Sequence, residues 1–211
     1  MAQKPEGYKT QPIRSSVLRA VLVLEIAACC IVFAAFVTGS FSVTGRLVIP
    51  PQWFGPYNTV AKSLSYMPAL AFLCLLFWVF RANKNARALS PQTLEYSPAW
   101  AVGWFFVPVA CLWKPYQVVR EIYKASRTPH GWRSTKAATL VGWWWGLALI
   151  GYVLAVEIRI GTSSNHPIGR ELALLFFGIM AVHQTLLFSI IVRIDAWQAA
   201  ARRSGGIENV F

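Results

Sequence analysis

PAWAVGWFFVPVACL, residues 98–112, is apolar throughout, yet it is short and broken for a membrane crossing. A straight helix needs about 20 apolar residues to span the hydrocarbon core. This stretch has fifteen, with Pro108 inside it and Pro115 just beyond. Each proline removes a backbone N–H and crowds the preceding turn, so a single continuous helix here is disfavoured. Whether the stretch crosses decides how many spans the chain has and on which side everything after it lies.

Working outward, four other stretches do have the length: 17–37, 64–80, 138–156 and 172–192. Composition agrees with lipid as their solvent. Of the 211 residues 56% are hydrophobic and only 13% charged, ten are tryptophan, and mean hydropathy is positive, far more apolar sequence than a soluble core of this size needs. The first stretch has flanks like those of a secretory signal, basic before and Thr38-Gly39-Ser40 after, but its length favours an uncleaved anchor.

Positive charge separates the two topologies. If 98–112 does not cross, segments 1–19, 81–97, 113–137 and 193–211 share one side and hold sixteen of the twenty Lys and Arg. If it crosses, the inner side holds nine and the outer eleven, reversing the positive-inside bias. The expectation is therefore an all-α, polytopic membrane helix bundle: four transmembrane helices plus one proline-broken segment, re-entrant or interfacial, over 98–125. Cytoplasmic tails at 1–16 and 193–211 flank the membrane domain at 17–192, and the compartment expected is a bacterial inner membrane.

Trp78, Trp100, Trp104, Trp113, Trp132, Trp143 and Trp197 fall near the proposed inner boundaries, where indoles concentrate. Over 114–126 the pattern is amphipathic: Val118, Val119, Ile122 and Tyr123 make an apolar face, and Lys114, Arg120 and Lys124 are placed to reach lipid headgroups. The outer loop 39–62, with Pro50-Pro51 and Gly55-Pro56, reads as a compact turn-rich loop.

The segment 77–126, FWVFRANKNARALSPQTLEYSPAWAVGWFFVPVACLWKPYQVVREIYKAS, resembles the bacterial domain-of-unknown-function family 4328. The resemblance rests on Arg81 with Asn85, Ser97-Pro98 with Trp100, Gly103-Trp104-Phe105-Phe106 leading to Pro108, then Pro115-Tyr116, Glu121 and Ser126. It implies a multi-helix membrane protein and carries no assigned activity. The resemblance leads to the expectation of Asn-Leu before the second proline; this chain has Cys111-Leu112 there and lacks that polar amide at membrane depth.

The candidate sites are polar residues at membrane depth or at its edge. Glu25 lies roughly 12 Å into the first span at 1.5 Å per residue, and His183 and Gln184 in the last span reach a similar depth. Ionisable groups in a bundle mark either a proton or cation path or a hydrogen bond locking two helices, and the second is the commoner. Arg81, Lys84 and Arg87 with Asn83 and Asn85 form a polar cluster where the second span ends. They suit lipid phosphates or simple topology signalling, and Arg81 has Glu121 as a pairing option across the inner face. Gly142 and Gly146 form a G-x-x-x-G suited to close helix packing, inside the bundle or between copies.

Several classes recede. The charge of +12 suits anionic lipid, and no basic stripe stands apart from apolar flanks as nucleic-acid binding requires. Cys29, Cys30, Cys74 and Cys111 sit in apolar stretches, match no zinc spacing and read as buried small hydrophobes. His130, His166 and His183 are spread over an inner loop, an outer loop and a helix. No H-E-x-x-H, P-loop or G-x-S-x-G occurs, and nothing calls for a cofactor. The leading expectation is a non-enzymatic module whose basic cytoplasmic face binds anionic lipid or a protein partner, including a homo-oligomer. A small transporter or channel subunit using Glu25 and His183 comes second. An intramembrane enzyme using those groups and the cysteines comes third.

Overall fold

The computed structural model describes residues 12–37, 66–90, 93–135, 139–163 and 170–207. The expected loop at 39–62, His166 and the chain ends beyond 12 and 207 lie outside the described residues. Every described element is helical: α1 (Pro12–Val37), α2 (Met67–Leu89), α3 (Pro98–Gly103), a 3-10 turn (Ala110–Leu112), α4 (Lys114–Arg127), a second 3-10 turn (Trp132–Ser134), α5 (Thr139–Ser163) and α6 (Arg170–Ile207).

Four of them, α1, α2, α5 and α6, are long and apolar enough to cross a membrane. Val23, Leu24, Ile31, Phe77, Tyr152 and Val182 on these helices are each more than half exposed. In water such a display would drive aggregation, so the covering medium is lipid. The cysteines belong to the same picture. Expected to be buried, Cys29 and Cys74 are half-buried and Cys30 is exposed, because outward positions on a spanning helix are covered by lipid rather than protein, while Cys111 is half-buried in the 3-10 turn of the non-spanning segment.

The 98–112 stretch contains no spanning helix. Ser97 caps α3, its Oγ accepting from Trp100 N at 3.4 Å, with Pro98 in the first turn, where its missing N–H costs nothing. After six residues, about 9 Å of rise, α3 ends. Pro108 then opens a γ-turn: Ala110 N donates to Pro108 O at 2.7 Å across Val109, whose φ of 64° and ψ of −52° are rare and strained for a β-branched residue.

Two boundaries shift. α2 runs to Leu89, beyond the 64–80 apolar stretch. α6 is a 38-residue helix, about 57 Å long against a hydrocarbon core of ~30 Å, so most of the expected tail at 193–211 is its continuation. Ile191, Ile194 and Gln198, buried at helical spacing, hold that extension in place.

The chain divides into two compact units, and the division falls inside each of the four long helices. Unit 1 contains residues 1–19, 73–143 and 186–211. Its core is built from Val79, Ala82, Ala86, Ala101, Val118, Val119, Ile122 and Ile194. The apolar face of α4 packs into a protein core: Val118, Val119 and Ile122 are fully buried, and Lys124, expected to reach lipid headgroups, is only 8% exposed. Unit 2 contains residues 20–72 and 144–185. There Trp144 and Leu22 are buried, and a Cβ on Gly151 would press on Met180 Sδ at 2.9 Å. By contrast, a Cβ on Gly142 or Gly146 would meet nothing within 4 Å among the described residues. The close approach expected at G-x-x-x-G is made at Gly151 instead.

Candidate functional site

In unit 1 the polar residues at the end of α2 hold the peptide that leads into α3. Asn83 is fully buried; its Nδ2 donates to Tyr96 O at 3.1 Å, and its Oδ1 accepts from Arg87 Nε at 3.2 Å. Arg87 also donates to Leu94 O at 2.7 Å. From the other side, Glu121 on α4 accepts the backbone N–H of Glu95 at 2.6 Å and of Tyr96 at 3.4 Å. The Tyr96 hydroxyl donates to Gln117 Oε1 at 2.8 Å and accepts from Lys114 Nζ at 3.2 Å. A segment between helices needs its backbone groups satisfied when buried, and here side chains from two helices supply the partners.

Glu121 is 5% exposed. Burial pushes its carboxyl above the usual range, while the two backbone N–H donors and the charge of Arg87 pull it partly back. The clamp expected from Arg81 is therefore made by main-chain donors, with Arg87 as the cation that acts on the carboxylate.

A second junction sits on Gln198 of α6, 3% exposed. Its Nε2 donates to Ala82 O at 3.0 Å and to Ser126 Oγ at 2.9 Å, while its Oε1 accepts from Asn85 at 3.2 Å. Asn85 and Ser126, both in the quoted motif, thus meet at one amide. Trp78 Nε1 reaches Asp195 Oδ1 at 3.2 Å nearby. The Trp104 ring is tilted at 35° to that of Trp100, with centroids 5.0 Å apart, and lies 5.2 Å beneath the Lys114 ammonium. Pro115 is buried in the first turn of α4.

Among the described residues of this unit, two cavities bear on the site. One, of about 520 Å³, is lined by Leu73, Leu76, Phe77, Phe80, Ala99 and Val102, with Arg81 as its one charged group. The other, of about 380 Å³, is polar and lies along α4, with Lys114, Gln117, Arg120, Glu121 and Lys124 on its wall beside Glu95, Tyr96 and Trp132. Sequence reasoning missed Asn83 as a buried group, the inward turn of Lys124, and Gln198. The signal for Gln198 was its i, i+4 spacing from Ile194, visible only once the helix was followed past the apolar span.

In unit 2, Gln184 donates its amide to Glu25 Oε2, and both residues are buried. Glu25 Oε1, Gln184 Oε1 and His183 Nδ1 have no hydrogen-bond partner among the described residues. His183 stacks on Trp144 with ring centroids 6.1 Å apart. Of the two partners open to Glu25, the bond is made by Gln184.

Four spanning helices and a broken, non-spanning segment define a polytopic helical membrane protein. The family described as "Domain of unknown function (DUF4328)" matches residues 52–192, 141 of 211, and the chain belongs to that family. No curated protein and no solved structure matches the chain. The match takes in the Asn83, Arg87 and Glu121 clamp and both cavities, whereas α1, which carries Glu25, and Gln198 lie outside it.

Proposed function

We propose that this protein is a non-enzymatic membrane module that binds anionic lipid at its basic face, in the cytoplasmic leaflet of a bacterial inner membrane with both termini inside. The observation that carries the reading is the apolar groove of α2 and α3 closed by a guanidinium. Phe77 and Leu73 offer exposed apolar surface for an acyl chain, and Arg81 offers a bidentate partner for a phosphate. The sixteen-of-twenty charge bias supports the cytoplasmic placement.

The test uses the full chain purified in detergent, with phosphatidylglycerol and phosphatidylcholine retention compared by native mass spectrometry. Arg81→Gln is expected to lose several-fold of the preference for phosphatidylglycerol. Equal preference in wild type and variant would sink the reading.

A second reading, a small transporter or channel subunit, draws on the three buried polar atoms of Glu25, Gln184 and His183 that have no hydrogen-bond partner among the described residues. Its test is a proton or cation flux assay in proteoliposomes. Flux lost in Glu25→Gln at unchanged fold supports it, and a wild type without flux removes it.

A further inference from the structure

We propose that the polar pocket along α4 is a binding site for a phosphate group, held by Lys124, Arg120 and Trp132. This is separate from the lipid groove: the two cavities share no lining residue, and Arg81 belongs only to the other.

The argument begins with the spacing of residues 114, 117, 121 and 124, which places Lys114, Gln117, Glu121 and Lys124 along one face of α4, with Arg120 beside them. Lys124 is the decisive group. It is 8% exposed, lines the cavity, and makes no side-chain hydrogen bond or ion pair among the described residues. A lysine is almost never buried without a partner. Two further residues on the same wall carry donors without an acceptor among the described residues, Arg120 at Nε and Trp132 at Nε1, although Arg120 also lies over the Tyr116 ring at 5.9 Å. Three residues with N–H donors, two of them cationic, therefore line one cavity and have no hydrogen-bond acceptor for those donors among the described residues.

The acidic groups do not meet that demand. Glu121 uses one carboxylate oxygen on Glu95 N and the other on Tyr96 N, and Glu95 is exposed. Lys114 is already engaged with the Tyr96 hydroxyl and with the Tyr96 and Trp104 rings. A ligand with several acceptor oxygens and negative charge satisfies Lys124, Arg120 and Trp132 together. Phosphate has that chemistry, and charge-assisted bonds to it are the strong ones. A volume of about 380 Å³ admits the phosphate with part of the molecule that carries it. That bearer is either a phospholipid headgroup or a soluble phosphate.

The full chain in detergent is titrated calorimetrically with inorganic phosphate, and phosphatidylglycerol retention is measured in parallel by native mass spectrometry. Lys124→Met keeps the buried stem and removes the charge. Trp132→Phe keeps an aromatic ring and removes only the N–H. Arg203→Gln, an exposed position outside both cavities, controls for net charge. Lys124→Met is expected to weaken binding about tenfold or more, since a hydrogen bond to a charged group is lost, and Trp132→Phe several-fold, with Arg203→Gln like wild type. A loss confined to the phosphate arm assigns a soluble ligand, and a loss in the lipid arm assigns a headgroup. If neither arm separates the two pocket variants from Arg203→Gln, the proposal is overturned, whatever Arg81→Gln does to lipid preference. Should Lys124→Met not fold, Trp132→Phe decides alone.

Discussion

Two buried carboxylates in this protein are held in opposite ways. Glu121 in unit 1 is 5% exposed and gives both oxygens to main-chain N–H groups of a fixed peptide. Glu25 in unit 2 is 6% exposed and has one side-chain amide as partner, its second oxygen facing no donor among the described residues. A main-chain donor cannot rotate away, so Glu121 serves as a structural tie. A glutamine amide can flip or let go, so Glu25 and Gln184 form an adjustable contact between two helices. The lesson is that burial alone does not tell a structural carboxylate from a responsive one; what matters is whether its partners are able to move.

The sharpest way to break this contrast is to remove each carboxylate. Glu121→Ala strands two backbone N–H groups and is expected to cost roughly 1–3 kcal/mol for each, read as a fall in unfolding midpoint in detergent. Glu25→Gln is expected to change stability by no more than about 1 kcal/mol, as interhelical polar contacts in membranes typically do. Comparable losses in both variants would erase the distinction.

A smaller effect tests the electrostatics of the tie. Because the folded-state pKa of Glu121 is raised, its protonation favours the folded protein below about pH 4.5, and that contribution is lost as pH rises through the folded value. The stability of wild type relative to Glu121→Gln should therefore decline from pH 4.5 towards neutrality. A flat difference across that range would show that the two N–H donors cancel the desolvation.

Backbone strain belongs to unit 1 as well. Val109→Gly should relieve the positive φ and raise stability by about 1 kcal/mol, less the entropy glycine adds to the unfolded chain. A loss of stability there would mean that the valine side chain contributes packing that outweighs its strain.

The smallest expected effect concerns α5. Gly146→Ala meets open space and should gain up to roughly 1 kcal/mol from helix propensity, whereas Gly151→Ala forces Met180 aside and should gain less or lose. If Gly146→Ala instead lowers the oligomer fraction in light scattering, the glycine face packs between copies of the chain.

Much of the architecture is legible in the sequence. Apolar length marks spans because transfer into lipid is a sum over residues, and the 98–112 stretch betrays itself by its prolines and by the lysines and arginines that follow. The helix ends were harder to read. A hydropathy boundary marks where lipid stops, not where hydrogen bonding stops, so α6 continues unseen from Arg193 to Ile207. The candidate residues were legible as types but not as partners. Glu121 invited an arginine, since charge pairs by rule, yet its oxygens go to main-chain groups 25 and 26 positions away, which carry no side-chain signature.

What this sequence determined by itself is the solvent it folds in, the four crossings and the family to which it belongs, because each depends on local composition or on a contiguous motif. What only the tertiary structure decided is which polar groups are satisfied and which are left over. Gln198 finds Ala82 O from 116 positions away, while Lys124, on a face that reads as interfacial, turns into a cavity without an acceptor. Hydrogen bonding depends on distances of a few tenths of an ångström between remote segments, and such distances exist only once the chain has packed.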